Sequence, residues 1–174
     1  VHSHVFMPNG VASFARDMES SKQVWSSKEG YPGDISYRDF YRDIGFDLPR
    51  EYMARYIHQG NTAILTGFKY YRITGDTEHK EPYKPEVAQR RAAEHAQHFV
   101  WARERQVEWL AGRLDRPPII VSPYDAELFG HWWFEGPDFL YHVLKAAARS
   151  NVLEAIAAKD YMLLYPSAQV VIPN

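Results

Sequence analysis

From Pro85 to Leu114, apolar side chains recur three and four residues apart at Ala92, Ala96, Phe99, Val107, Leu110 and Leu114, with Arg103 on the same stripe. That period marks one face of an α-helix, so the segment predicts a long helix. It must end at the paired prolines Pro117 and Pro118, which cannot continue a helix. Arg103 is open to two readings: a buried partner for a site carboxylate, or an arginine whose stem packs while its head reaches solvent. The β-branched run that follows, Ile119 to Asp125 (IIVSPYD), resembles a strand buried on both faces, as in a parallel sheet. A further helix is predicted over 137–149. Helix, strand and helix in that order are the rhythm of a parallel α/β fold. Asp125 then stands at the carboxyl end of the strand, where active sites of open α/β sheets and of barrels are built.

Upstream the pattern is irregular. Residues 1–48 are rich in turn-forming Gly, Pro and Asp, as in EGYPGD and IGFDLP, and predict a long loop-rich region. Its aromatics Trp25, Tyr31, Tyr37, Phe40, Tyr41 and Phe46 argue against disorder. PREYMARYIHQ predicts a short helix after Pro49, and the alternating TAILTGFKYYRIT predicts a strand or hairpin.

Composition narrows the function. A chain of 174 residues is about one domain. A formal net charge of −2 with interspersed signs argues against nucleic acid and against an anionic membrane surface as partners. The absence of cysteine removes disulfides and thiolate chemistry and suits a cytoplasmic location. No apolar run approaches a bilayer span, and the first residues do not form a signal peptide. Trp, Tyr and Phe make up 15% of the chain. Flat apolar faces with polar rims are what sugar rings stack on, although a well-filled core also uses them.

The candidate chemistry gathers after the predicted strand, where Asp125 is followed by Glu127, His131, Trp132 and Trp133. An acid there, walled by aromatics, forms a cleft suited to acid/base work. The structural alternative has Asp125 capping a turn, Glu127 solvated and the tryptophans in the core. A metal site of Asp125, Glu127 and His131 is a third arrangement, disfavoured because no second histidine lies at ligand spacing in the loop. Nothing implies an organic cofactor, and GDTEHK is a turn without a phosphate-cradling glycine loop.

The segment YDAELFGHWWFEGPDFL closely resembles the fourth signature motif of glycoside hydrolase family 57, in the form carried by its 1,4-α-glucan branching enzymes. ESSKQVWSSKEGYPGD, YRDFYRDIGFDLP, TGFKYYRITG with KEPY, and PPIIVSPYDAELFGHWWFEGP resemble stretches of the bacterial members in the same order, covering nearly the whole chain. The resemblance implies an α/β fold that is part of a (β/α)7 barrel, with residues 1–174 forming a partial catalytic domain. Within it, 1–48 would be the substrate-facing loop region and 85–149 the helix, catalytic strand and helix. It implies a retaining transglycosylation that cleaves α-1,4 and forms α-1,6 bonds in glycogen or starch-like glucan. Asp125 would be the general acid/base, His131 and Trp132 would line donor subsites, and Trp25 and Phe46 would contact glucan.

The family's histidine-rich first motif and the third motif, with the nucleophilic glutamate, would lie upstream of Val1. The fifth motif and a helical domain would lie downstream of QVVIPN. The chain by itself is therefore expected to be inactive and to need the missing segments of its barrel as partners, beside α-1,4-glucan (amylose or glycogen) as substrate. Hydrolysis or disproportionation within the same family, a non-catalytic glucan-binding module, and a metal-dependent hydrolase are the competing functions.

Overall fold

Ala88, Ala92 and Ala96 put small side chains on one face of a helix, which lets a second helix approach closely, while Phe99 and Leu110 extend that face in larger steps. In the computed structural model, which describes residues 2–57 and 65–172, this helix is α3, Pro85–Ala111. Pro85 opens it at a position where a missing N–H costs nothing. At 27 residues it is roughly 40 Å long, and it packs most extensively on α4, Gly136–Ala147. The hydrophobic core lies between them, with Phe99, Phe139, Leu128 and Trp133 joined by Val24, Tyr31 and Tyr37 from the N-terminal region.

Five smaller elements surround this pair. Strands β1, Val5–Phe6, and β2, Ala12–Ser13, form an antiparallel hairpin that pairs Val5 with Ser13 and Phe6 with Ala12. Helix α1 spans Met18–Trp25, α2 is the single turn Arg50–Met53, and α5 spans Ala158–Leu164. Phe6 also forms a parallel bridge to Val170, donating its N–H to Gln169 at 2.8 Å and accepting from Val171 at 2.9 Å. None of the described helices is long and apolar enough to cross a membrane.

The helices over 85–114 and 137–149 are present within a few residues of the expected ends. The strand between them is not a strand. Residues 119–125 run extended, tied by Ile119 N–H to His2 O at 2.9 Å and by Asp17 N–H to Val121 O at 2.8 Å, but join no sheet among the described residues. Ile119, Ile120 and Val121 are half-buried rather than covered on both faces, because they border an open, mostly apolar groove of about 740 Å³ between α3, α4 and α5. A β-branched run specifies extended backbone, and a sheet needs neighbours on both edges as well.

The N-terminal region is less irregular than its turn residues suggest. Asp17 caps α1, accepting from Ser20 N–H at 2.8 Å and from Ser20 Oγ at 2.6 Å. Arg103 does not reach solvent: it is 4% exposed and lies against Glu19, at 2.5 Å, and Asp17. Its partners therefore belong to the α1 cap. Burial works to raise the Asp17 carboxyl, but hydrogen bonds from Ser20 and Gln106 and the charge of Arg103 hold it below its ordinary value. Of TAILTGFKYYRIT, residues 62–64 lie outside the described residues. The remainder forms a narrow hairpin, with Arg72 N–H bonded to Glu81 O and Tyr83 N–H to Tyr70 O. Its first arm also pairs with residues 37–39, through Asp39 N–H to Tyr71 O and Ile73 N–H to Tyr37 O, each at 2.8 Å.

Candidate active site

The loop that follows the extended segment is folded by its own backbone. Asp125 precedes a 3-10 turn over Ala126–Leu128, accepting at its carbonyl from Leu128 N–H. Trp132 and Trp133 donate their N–H groups to Glu127 and Leu128, and Gly130 donates to Trp133 O. Two glycines make this winding possible. Gly130 has φ +96°, the left-handed region, and a Cβ at Gly136 would meet Phe129 Cα at 2.8 Å. The loop sorts its side chains into two sets: Leu128 and Trp133 are buried in the core where it meets a cleft of about 950 Å³, while Asp125, Glu127 and Trp132 are exposed along that cleft.

Of the five residues given a role by the family resemblance, four, Asp125, Trp132, Trp25 and Phe46, line that one cleft. Trp25 comes from the last turn of α1, and Phe46 from a 3-10 turn over Ile44–Phe46. That turn is anchored by buried Asp43, which accepts from the N–H groups of Gly45, Thr66 and Gly67 and from the Thr66 hydroxyl. His131 does not line the cleft. It is exposed and edge-on to Phe40 and Trp132, at 5.7 and 5.2 Å between ring centroids. Trp132 itself lies nearly parallel to Phe40, with centroids 4.5 Å apart and planes inclined by 32°.

The Asp125 side chain caps nothing and accepts no hydrogen bond among the described residues. The capping alternative for Asp125 therefore fails, and its exposed carboxylate is available to whatever enters the cleft. Asp39, also in the lining, is occupied: its oxygens accept from Tyr41 N–H, Arg42 N–H and Lys80 Nζ. Trp133 does behave as core, wedged against Phe139 and Tyr37 with centroids 4.9 and 5.4 Å away. Asp125, Glu127 and His131 are not gathered into a ligand set, and no group of three such side chains among the described residues could hold a metal ion.

Reasoning from sequence gave no cleft role to Phe40 or Arg38, both of which line it. The Arg38 guanidinium lies over the Phe134 ring at 3.6 Å and has no hydrogen-bonded partner among the described residues. Behind it Glu135 is 2% exposed, with Oε1 accepting from Arg38 N–H at 3.1 Å and Oε2 unpartnered. Burial pushes the Glu135 carboxyl up, opposed by the Tyr83 hydroxyl, the Arg38 N–H and the Arg38 charge. The run YRDFYRD held both residues, but nothing in its spacing distinguishes wall from core.

No family model matches the chain. Among curated proteins it is 39% identical over 145 residues to a probable 1,4-α-glucan branching enzyme of Mycobacterium tuberculosis, covering 82% of this chain and 24% of that protein. It is 41% identical over 147 residues to a 1,4-α-glucan branching enzyme of Thermococcus kodakarensis, covering 83% of this chain and 19% of the relative. The chain thus spans about a quarter or less of these relatives. Among solved structures, an α-amylase from Thermotoga maritima superposes with a TM-score of 0.92 at 43% identity, over 99% of this chain and 34% of its own. A family 57 branching enzyme from Pyrococcus horikoshii gives a TM-score of 0.80 at 35% identity, over 98% of this chain and 28% of its own. The chain's homologues are branching enzymes of glycoside hydrolase family 57, and the chain belongs to that family.

Proposed function

We propose that these residues form the acid/base side of the catalytic cleft of a 1,4-α-glucan branching enzyme, within a (β/α)7 barrel that the chain completes only in part. One observation carries the proposal: an unengaged carboxylate, Asp125, in a cleft of about 950 Å³ walled by Trp25, Phe46 and Trp132. Aromatic faces bind pyranose rings by stacking, and the free acid lies among them. Asp125 protonates the glycosidic oxygen as the α-1,4 bond breaks. It then takes the proton of an acceptor 6-hydroxyl as the α-1,6 bond forms. The nucleophile of such a retaining pair stands roughly 5 Å from the acid and is a glutamate outside these residues. Storage glucan of the glycogen type is the substrate class, and the cytoplasm is the site of action.

The test uses the full-length polypeptide that carries these residues. Asp125→Asn abolishes the appearance of α-1,6 linkages in amylose while leaving retention on amylose near wild type. A variant with near-normal branching would show that the acid/base lies elsewhere. The 174-residue chain alone produces no branching, because an acid without its nucleophile cannot complete the covalent step. Robust branching by the chain alone would overturn that account.

A second function is favoured by one observation, the 0.92 TM-score to the Thermotoga maritima α-amylase. Hydrolysis and branching share the glycosyl intermediate and differ in whether water or a sugar hydroxyl resolves it. Product analysis separates them: new reducing ends without α-1,6 linkages mark hydrolysis.

A further inference from the structure

Arg38 and buried Glu135 belong to an arrangement that joins three segments behind the cleft. The Glu135 carboxylate lies at the end of the Asp125 loop and accepts from Arg38 N–H at 3.1 Å, in the segment 37–40. The Tyr83 hydroxyl, at the end of the hairpin over 70–83, also bears on it. Glu135 is 2% exposed, and its second oxygen is unpartnered. A buried carboxylate in this state is costly to fold around, and the charge of Arg38 works to offset that cost. Arg38 spends none of its side-chain donors on the described residues. It lies flat on Phe134, at 3.6 Å, and borders the cleft that holds Asp125 and Trp132. A planar fork of donors, laid on a ring at one face and carried by a backbone tied to buried Glu135, is suited to binding vicinal sugar hydroxyls in a defined orientation.

We propose that Arg38 is a hydroxyl-binding residue of the cleft and that Glu135 is the residue that positions it. The inference rests on the reading of the cleft as an α-glucan site and adds to it a specificity-determining contact. Two residues beyond Arg38, Phe40 stacks on Trp132, so the same anchor also sets the distance between the walls that carry Arg38 and Asp125.

The experiment is steady-state kinetics on amylose with the full-length polypeptide carrying Arg38→Ala, Glu135→Gln and both together. Arg38→Ala raises KM about tenfold, the loss of one charge-assisted hydrogen bond, and changes kcat by less than about threefold. Glu135→Gln keeps an acceptor for the Arg38 N–H but removes the buried charge, and raises KM by about threefold to fivefold. The double variant is no worse than Arg38→Ala alone, because Glu135 acts through Arg38. A merely structural role would lower the active fraction, and so kcat, at constant KM. The proposal is overturned by an unchanged KM in folded Arg38→Ala, or by effects that multiply in the double variant. If either occurs while Asp125→Asn still abolishes turnover, the glucan reading stands and only this inference fails. Wild-type protein without affinity for amylose overturns both.

Discussion

Trp132 and Trp133 are adjacent in sequence and opposite in environment, so truncating each to alanine should produce opposite phenotypes. Trp133 is 2% exposed and packed between Phe139, Tyr37 and Phe129, whereas Trp132 is 51% exposed and has Phe40 and His131 on one side only. A buried tryptophan removes roughly 150–250 Å² from water, about 4–6 kcal/mol at roughly 25 cal/mol per Å². Part of that is retained by the alanine Cβ, and the cavity left behind adds to the loss, giving about 4 kcal/mol for Trp133→Ala. In a domain of this size that lowers Tm by about 8–16 °C. Trp132→Ala leaves no sealed cavity and gives up about half the area, so it costs about 1–2 kcal/mol and lowers Tm by about 2–8 °C. Thermal melts followed by far-UV circular dichroism measure the first quantity, and retardation in amylose-containing gels measures the glucan contact. The expected result is a large Tm drop for Trp133→Ala with little intrinsic change in retardation of the folded fraction, and the reverse for Trp132→Ala. Equal Tm losses, or full retardation of Trp132→Ala, would refute the division of this loop into a core face and a cleft face. Trp133→Phe refines the test: the indole N–H has no partner among the described residues, so phenylalanine should cost less than half of what alanine does.

The His95 ring has Nδ1 at 2.7 Å from the Tyr37 hydroxyl and Nε2 at 3.5 Å from Asp34, and it lies against Tyr31, with Arg91, Glu94 and His98 nearby. Burial lowers its pKa, the Asp34 charge opposes that, and the net direction is down. A histidine lowered on folding contributes stability that is complete above its unfolded value of about 6.5 and is lost as pH falls through the folded value. Tm should therefore fall between pH 7 and pH 5, and His95→Gln should flatten that slope; an unchanged slope in the variant would assign the acid sensitivity elsewhere. Gly136→Ala places a methyl 2.8 Å from Phe129 Cα, backbone that cannot yield, and should cost about 1–3 kcal/mol in denaturant titration, whereas Gly112→Ala, whose new carbon approaches nothing closer than Trp109 O at 4.0 Å, should be near neutral. Asp43→Ala strands the donors of Gly45, Thr66 and Gly67 and should expose residues 65–68 to limited proteolysis, with protection unchanged at α3 as the internal control.

The helical pair was legible because its cause is periodic. Ala88, Ala92, Ala96 and Phe99 repeat at helical spacing and are buried against α4, so one dimension of sequence carries the information. Helix α1 shares that cause on a shorter scale, with Asp17 at its cap and Val24 in the core. Its eight residues hold too few apolar positions to stand out from the turn-rich flanks, so the sequence there suggests loop. The strand over 119–125 failed for a different reason. Ile119, Ile120 and Val121 state a preference for extended backbone, but pairing depends on partners that local sequence does not name, and among the described residues the segment makes two backbone hydrogen bonds to distant segments, to His2 and Asp17.

At the site the division between legible and hidden follows chemistry rather than period. Asp125 stood out because a carboxylate among tryptophans at the end of an extended segment has few structural uses, and the cleft gives it none: it caps no turn and meets no cation among the described residues. His131 stood out through the motif that carries the family resemblance, and in the fold its ring is edge-on to Phe40 and Trp132, which stack on each other in the cleft wall. Arg38 and Glu135 were silent because each is ordinary alone. Only the fold, by bringing residues 97 positions apart to 3.1 Å, ties the backbone of an arginine stacked on Phe134 to a buried carboxylate. A long-range pair of this kind leaves no periodicity and no spacing to read. The same physics makes it a sensitive point of the cleft, because one hydrogen bond to buried Glu135 fixes the backbone that carries both Arg38 and, two residues on, Phe40.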